Sequence, residues 1–125
     1  MENRKPTVVA SYKDLRIYQR SYKLALEIHK ITLKFPSQER WELGNQLRRA
    51  VTSVPINIAE GYGRKRSPED FKHFLVIALG SNNEVHVILD LVRDLGYLQE
   101  DQHKKLAQEN TEIGKGINKL IQVWR

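Results

Sequence analysis

Gln46-Leu-Arg-Arg-Ala-Val-Thr-Ser-Val-Pro-Ile-Asn-Ile-Ala-Glu-Gly-Tyr-Gly-Arg-Lys-Arg66 is the stretch that decides the fold. At helical spacing it resolves into two stripes. Leu43, Leu47, Ala50, Val54 and Ile58 form an apolar seam. Beside it, Gln46, Arg49, Ser53, Asn57 and Glu60 recur at steps of three and four. An ordered polar row against an apolar seam predicts a hydrogen-bonded network at a packed boundary, between helices or between subunits. Pro55 removes one backbone donor inside this helix, so a local kink is expected. Gly61 and Gly63 are expected to loosen the chain before three consecutive cations, Arg64, Lys65 and Arg66.

The flanking sequence extends the same period. One helical segment is expected from about Asp14 to Lys34, with Ser11 or Asp14 as start signals and Pro36 as the stop. The central segment spans about Ser37 to Gly61. A third opens at Ser67-Pro68-Glu69-Asp70, where Ser suits the N-cap and Pro the first helical position. Its end falls at Gly96, read as a left-handed cap with Tyr97 and Leu98 folding back on the last turn. The fourth segment runs from about Asp101 to Trp124. No segment alternates at the strand period. Short connections make neighbouring helices antiparallel, so residues 11–125 read as one all-α, up-down four-helix bundle behind a flexible arm, residues 1–10.

Apolar residues on the first segment cover roughly 220° of the helical wheel, against the ~100° that a one-sided surface helix needs. Leu15, Tyr18, Tyr22, Ala25, His29 and Leu33 occupy one arc; Ile17, Leu24, Ile28, Ile31 and Phe35 occupy another. His29 therefore reads as a packed, hydrogen-bonded core residue. The third segment carries a core stripe from Phe71 to Val92 and a smaller apolar patch, Val76, Gly80, Val87 and Leu91, on its opposite side. Surplus apolar surface on two helices predicts a homo-oligomer.

Several motifs along the chain also carry a resemblance. Phe35-Pro36 with Glu39, Leu43, the Gln-Leu-Arg-Arg-Ala run, Ser53-Val-Pro-Ile-Asn-Ile-Ala-Glu-Gly61, Phe71, Phe74, Ile77-Ala78, and Gly80-Ser81 with Glu84 follow one another in a known order. They resemble the bacterial four-helix bundle protein family, whose founding members are encoded in intervening sequences of 23S rRNA genes. The resemblance covers the chain from about Tyr12 to its end. It implies a ring-like homopentamer and kinship to the accessory proteins that assist reverse transcriptases in diversity-generating retroelements. Asn82-Asn83 departs from the less polar residues expected at that point.

With 125 residues and no cysteine, the chain has room for one core and excludes disulfide and thiolate chemistry, as a reducing cytoplasm favours. Met1–Ser11 is mixed and polar, and no apolar run approaches membrane-spanning length, so neither a leader nor a membrane partner is expected. Charge is lopsided. Residues 1–72 hold 15 Lys/Arg against 8 Asp/Glu, and the remaining residues 6 against 7, within an overall charge of +6. Such a field favours anionic partners.

Catalytic and metal signatures are sparse. Glu27-Ile-His29 and Glu84-Val-His86 place carboxylate and imidazole about 200° apart on a helix, which excludes a ferritin-like metal pair. No phosphate loop, dinucleotide fingerprint or nucleophile elbow occurs, and no cofactor is expected. Arg66 followed by His73 is similar to the Arg–His spacing of HEPN ribonucleases, in which the His would act as acid or base.

The basic residues carry the functional expectation. Arg64, Lys65 and Arg66 precede a helix N-terminus, suit phosphate contacts, and have Tyr62 near enough to stack on a base. Arg16, Arg20 and Lys23 belong to a basic stripe on the first helix, and Arg48 adds to a basic surface. Arg49 is assigned instead to the polar row, paired with Glu60 or Glu84. The expected function is non-catalytic binding of nucleic acid, foremost RNA, through backbone phosphates. The alternatives are a protein-binding scaffold, for instance for a reverse transcriptase, and a HEPN-like ribonuclease.

Overall fold

The computed structural model describes residues 9–124. Most of the expected arm, residues 1–8, and Arg125 lie outside the described residues. A 3-10 turn, Tyr12–Asp14, leads into α1 (Arg16–Thr32), the short α2 (Ser37–Trp41), α3 (Leu43–Gly63), α4 (Pro68–Asp94) and α5 (Glu100–Val123). No strand occurs among the described residues. The four long helices form a bundle in which α3 packs between α1 and α4, and α5 closes the circuit against α4 and α1.

Local chemistry sets the ends. Ser11 Oγ accepts from Lys13 N at 3.1 Å, and Asp14 Oδ2 accepts from Ala10 N and Ser11 N at 2.8 and 3.1 Å. Both start signals thus serve the 3-10 turn, and α1 begins only at Arg16. Ser67 Oγ caps α4 by accepting from Asp70 N. Gly96 ends α4's last turn with φ +86. Gly96 N donates to Arg93 O and Tyr97 N to Val92 O, the paired bonds of a Schellman cap.

The central segment is two helices. The backbone breaks at Glu42 (φ −87, ψ −83), and Gly44 brings α3 under α2, where a Cβ would lie 3.1 Å from Glu39 O. Arg48 clamps the junction. Its Nη1 donates to Thr32 Oγ1 and its Nη2 to Arg40 O and Asn45 Oδ1, all at 2.7 Å. Tyr97 OH donates to Glu39 Oε2 at 3.0 Å, tying α2 to the α4–α5 turn. Trp41 stands 74% exposed on this anchored α2. At the opposite end Trp124 packs edge-on to Phe71, with centroids 4.6 Å apart.

The two arcs of α1 differ in burial without separating completely, since Leu15 and Ala25 of the first are buried and Ile17 and Ile31 of the other are half-buried. Leu24, Ile28 and Phe35 are buried in the core with Leu47, Val54, Ile58, Phe71, Leu75, Leu89, Ile113 and Ile117. On the arc that begins at Leu15, Tyr22 and Leu33 are exposed, and so is His29, which is not a core residue. α3 continues without a break through Pro55 to Gly63. Gly61 does not loosen it: a Cβ there would fall 2.8 Å from Phe74 Cβ and 2.9 Å from Phe71 Cδ1, so this glycine lets α3 and α4 touch.

Asn82 is buried and finds its match on α5. Its Nδ2 donates to Asn110 O and Oδ1, and Asn110 Nδ2 donates to Asn82 O, each at 2.9 Å. Gly114 makes the space, since a Cβ there would meet Asn82 Oδ1 at 2.7 Å. By length and composition α4 reaches what a membrane span requires, with mean hydropathy 1.4 over its most apolar window. The sequence had suggested no such run. Phe71, Leu75, Ala78, Val85, Leu89 and Val92 on this helix are nevertheless buried in the bundle core.

Candidate nucleic-acid interface

The α3–α4 turn presents Arg64, Lys65 and Arg66, all exposed. Aromatic rings hold two of them. The Arg64 guanidinium lies 5.1 Å from the Phe74 ring centroid, and Lys65 Nζ lies 4.0 Å from that of Tyr62 and donates to its hydroxyl at 2.7 Å. Arg64 also meets Glu60 at 3.4 Å, an exposed i,i+4 pair that contributes little. Arg66 makes no ion pair among the described residues. Tyr62 is only 7% exposed and packs edge-on to Phe71, so its ring supports the turn and is closed to a nucleobase. The N-terminus of α4 behind the turn is already served by Ser67, Glu69 and Asp70.

On α1, Arg16 and Lys23 project into solvent. Arg20 does not act as a free cation. Its Nε and Nη2 donate to the two carboxylate oxygens of Glu109 on α5, at 2.9 and 2.8 Å. This hydrogen bonding raises the arginine's affinity for its proton and holds the Glu109 carboxyl below its ordinary value, with a smaller pull from the positive charge of Arg20, Lys23 and Arg16. Glu109 was missed in the sequence because nothing along the chain says that α5 closes on α1. Lys105 shares the same α1/α5 recess, and Lys119 lies beside Arg16 further along. Arg48, expected on a basic surface, has its donors engaged by Thr32, Arg40 and Asn45.

The α3 polar row divides. Ser53 Oγ and Ser81 Oγ share a 2.7 Å hydrogen bond across α3 and α4, and Asn57 Nδ2 donates to Ser53 O at 2.8 Å and Oγ at 3.0 Å. Gln46, Arg49, Glu60 and Glu84 are exposed. Arg49 pairs with neither Glu60 nor Glu84 among the described residues. Arg49 and these two carboxylates point outward instead.

Between α1 and α3 runs a groove of about 590 Å³, lined by Tyr18, Tyr22, Leu26, Pro55, Ile56 and Ala59 among others. His29 borders it, its Nε2 3.2 Å from Thr52 Oγ1. Burial and the neighbouring Tyr12 and Tyr22 raise the Tyr18 hydroxyl's pKa.

The groove's lining includes none of the other three histidines. His73 is exposed and edge-on to Phe74. His103 Nε2 contacts Asp90 Oδ1 at 2.8 Å, and burial lowers the pKa of His86. No group of three potential metal ligands converges among the described residues.

Residues 13–119 match the family model described as 23S rRNA-intervening sequence protein. Among solved structures, the chain is similar to a Bacteroides thetaiotaomicron protein of unknown function from the S23 ribosomal protein family. The two share 27% identity and a TM-score of 0.78, over 86% of this chain and 96% of that one. No curated protein matches the chain.

Proposed function

The chain belongs to the 23S rRNA-intervening sequence protein family, and from that premise we propose that it is a non-catalytic, homo-oligomeric RNA-binding protein of the cytoplasm. The observation that carries the reading is the α3–α4 turn. Arg64, Lys65 and Arg66 stand exposed together, and two of them are steadied by aromatic rings that leave their charge largely uncompensated. Arg16 and Lys23 supply a second set of phosphate contacts on α1; Arg20, tied to Glu109, and Arg48 contribute framework. With no base-reading motif, affinity comes from phosphates and is indifferent to sequence. A ring-like homopentamer, as the resemblance implies, would multiply weak sites into useful avidity.

The test is a salt titration of binding to structured RNA, single-stranded DNA and duplex DNA. Log affinity should fall linearly with log salt, by about 0.7 per neutralised phosphate on single strands. Replacing Arg64, Lys65 and Arg66 with Ala should weaken binding to every sequence alike and flatten the slope. An unchanged slope would remove the turn from the interface. No binding at low salt would favour the second reading, a protein-binding scaffold, which the exposed apolar groove supports. Cleavage abolished by His73→Ala would instead promote the ribonuclease.

A further inference from the structure

Two recesses lie along the seam between α1 and α5, and their charge differs. The first, about 300 Å³, is lined by Arg20, Lys23 and Lys105 but also by Glu27 and Glu109, whose carboxylates oppose any anion that enters. The second, about 260 Å³, is lined by Arg16 and Lys119 with Leu15, Ile17, Leu120 and Val123, and by no carboxylate. Gly116 belongs to the same lining. A Cβ there would fall 2.6 Å from Ile17 Cγ2, so the glycine lets α5 come this close to α1.

The second recess stands beside the basic turn. Trp124, the residue after Val123, packs edge-on to Phe71, Phe71 packs edge-on to Tyr62, and the Tyr62 ring holds Lys65. The turn gathers phosphate contacts but offers no open ring to a base, because Tyr62 is closed. The recess supplies that missing apolar surface between two exposed cations, with Val123 58% exposed at its rim. Its about 260 Å³ falls short of the roughly 300–1,000 Å³ of sites that engulf a whole small molecule. That is room for one flat ring rather than a long acyl chain.

We propose that this recess takes an unpaired nucleobase of RNA, with the flanking phosphates on Arg16 and Lys119. The inference rests on the RNA-binding reading and names its substrate, RNA with single-stranded stretches. In a duplex the bases are stacked and paired; only an unpaired base can turn outward into a protein recess. Apolar side chains cover the base without reading its hydrogen-bond donors and acceptors, so the site selects unpaired RNA and stays indifferent to sequence.

Three probes at one salt concentration test it: an oligouridylate strand, the same strand annealed to oligoadenylate, and a strand of equal length without bases. The parent should bind oligouridylate about fivefold or more tighter than the abasic strand, the scale of one base contact. That comparison needs no variant. Val123→Asn should erase the difference and leave duplex binding unchanged; at an exposed last position of α5 it should keep the helices intact by circular dichroism. Lys119→Ala should weaken both single strands alike and lower their salt slope by about 0.7.

Equal affinity for oligouridylate and the abasic strand would overturn the proposal. So would a difference that survives in Val123→Asn, which would place the base elsewhere on the surface. Decanoate bound by the parent and lost in Val123→Asn, beside RNA affinity that ignores the bases, would assign the recess to an acyl anion. No binding to any of the three probes at low salt would instead sink the RNA-binding reading itself.

Discussion

The α3 polar row and the Asn82–Asn110 pair are both polar constellations in a helical bundle, yet they sit in opposite environments. The row is conspicuous in the sequence because its members share one helix and one period. In the structure only Ser53 and Asn57 are drawn inward; Gln46, Arg49 and Glu60 are exposed, as is Glu84 on α4. The asparagine pair has no periodic signature. Its members lie on different helices, are 2% and 1% exposed, and satisfy each other through three hydrogen bonds. Polar spacing along one helix identifies a boundary; burial depends on what the opposing helix supplies. A satisfied buried amide pair also fixes the sliding register of α4 against α5, since a slip of one turn would leave both amides without partners.

Four measurements sharpen or break this contrast, all at fixed protein concentration because assembly shifts apparent stability. Asn82→Ala should have the largest effect, stranding Asn110 in a dry interior at a cost of about 1–3 kcal/mol and lowering Tm by several degrees. A change within error would mean the pair is hydrated and its burial is immaterial. Gly114→Ala should come next, because its new methyl would press on Asn82 Oδ1; overpacking of this kind typically costs about 1–3 kcal/mol, with relief in the Asn82→Ala background. Additive losses would show that the two sites do not communicate.

Asn57→Ala removes hydrogen bonds made to its own helix at a half-buried site, for a loss of about 1 kcal/mol or less. Glu60→Ala should lie within about 0.5 kcal/mol of the parent, as exposed substitutions do. A Glu60→Ala effect matching that of Asn82→Ala would show that the row is buried in the assembled particle, and would erase the contrast.

The smallest effect concerns pH. The Glu109 carboxyl is held below its reference value of 4.5, first by hydrogen bonds from Arg20. A depressed carboxyl stabilises the fold above the unfolded pKa, and that contribution disappears as pH falls from about 4.5 through the lower folded value. With both side chains about a third exposed the contribution is a fraction of a kcal/mol. Tm should therefore fall slightly more steeply over that window in the parent than in Glu109→Gln. Parallel profiles would show that solvent screens the pair completely.

How far the sequence could be read follows from the same physics. Helix periods, the Ser67 cap and the Gly96 stop are local, and the four-helix bundle followed from them. The break at Glu42 was hidden, because it depends on Gly44 and Arg48 holding two helices together across a turn. The basic turn at Arg64–Arg66 was visible as composition. The closure of Tyr62 was not, since it needs Phe71 from the next helix. Arg20 and Arg48 both looked like free cations. Their partners, Glu109 and the Thr32 hydroxyl with the Arg40 carbonyl, lie on other helices or in capping positions that no single-helix pattern encodes. Asn82 looked misplaced for the same reason.

The two tryptophans give this molecule a pair of built-in optical reporters. Trp41, mostly in water on an α2 anchored by Arg48 and Tyr97, should emit at the red end of the indole range and be open to collisional quenchers. Trp124, half-buried against Phe71 near the basic turn, should emit further to the blue and resist them. Unfolding will shift the blue component toward the red. A ligand settling near Trp41 would dim the red component alone, so one emission spectrum distinguishes loss of the fold from occupation of that end of the bundle.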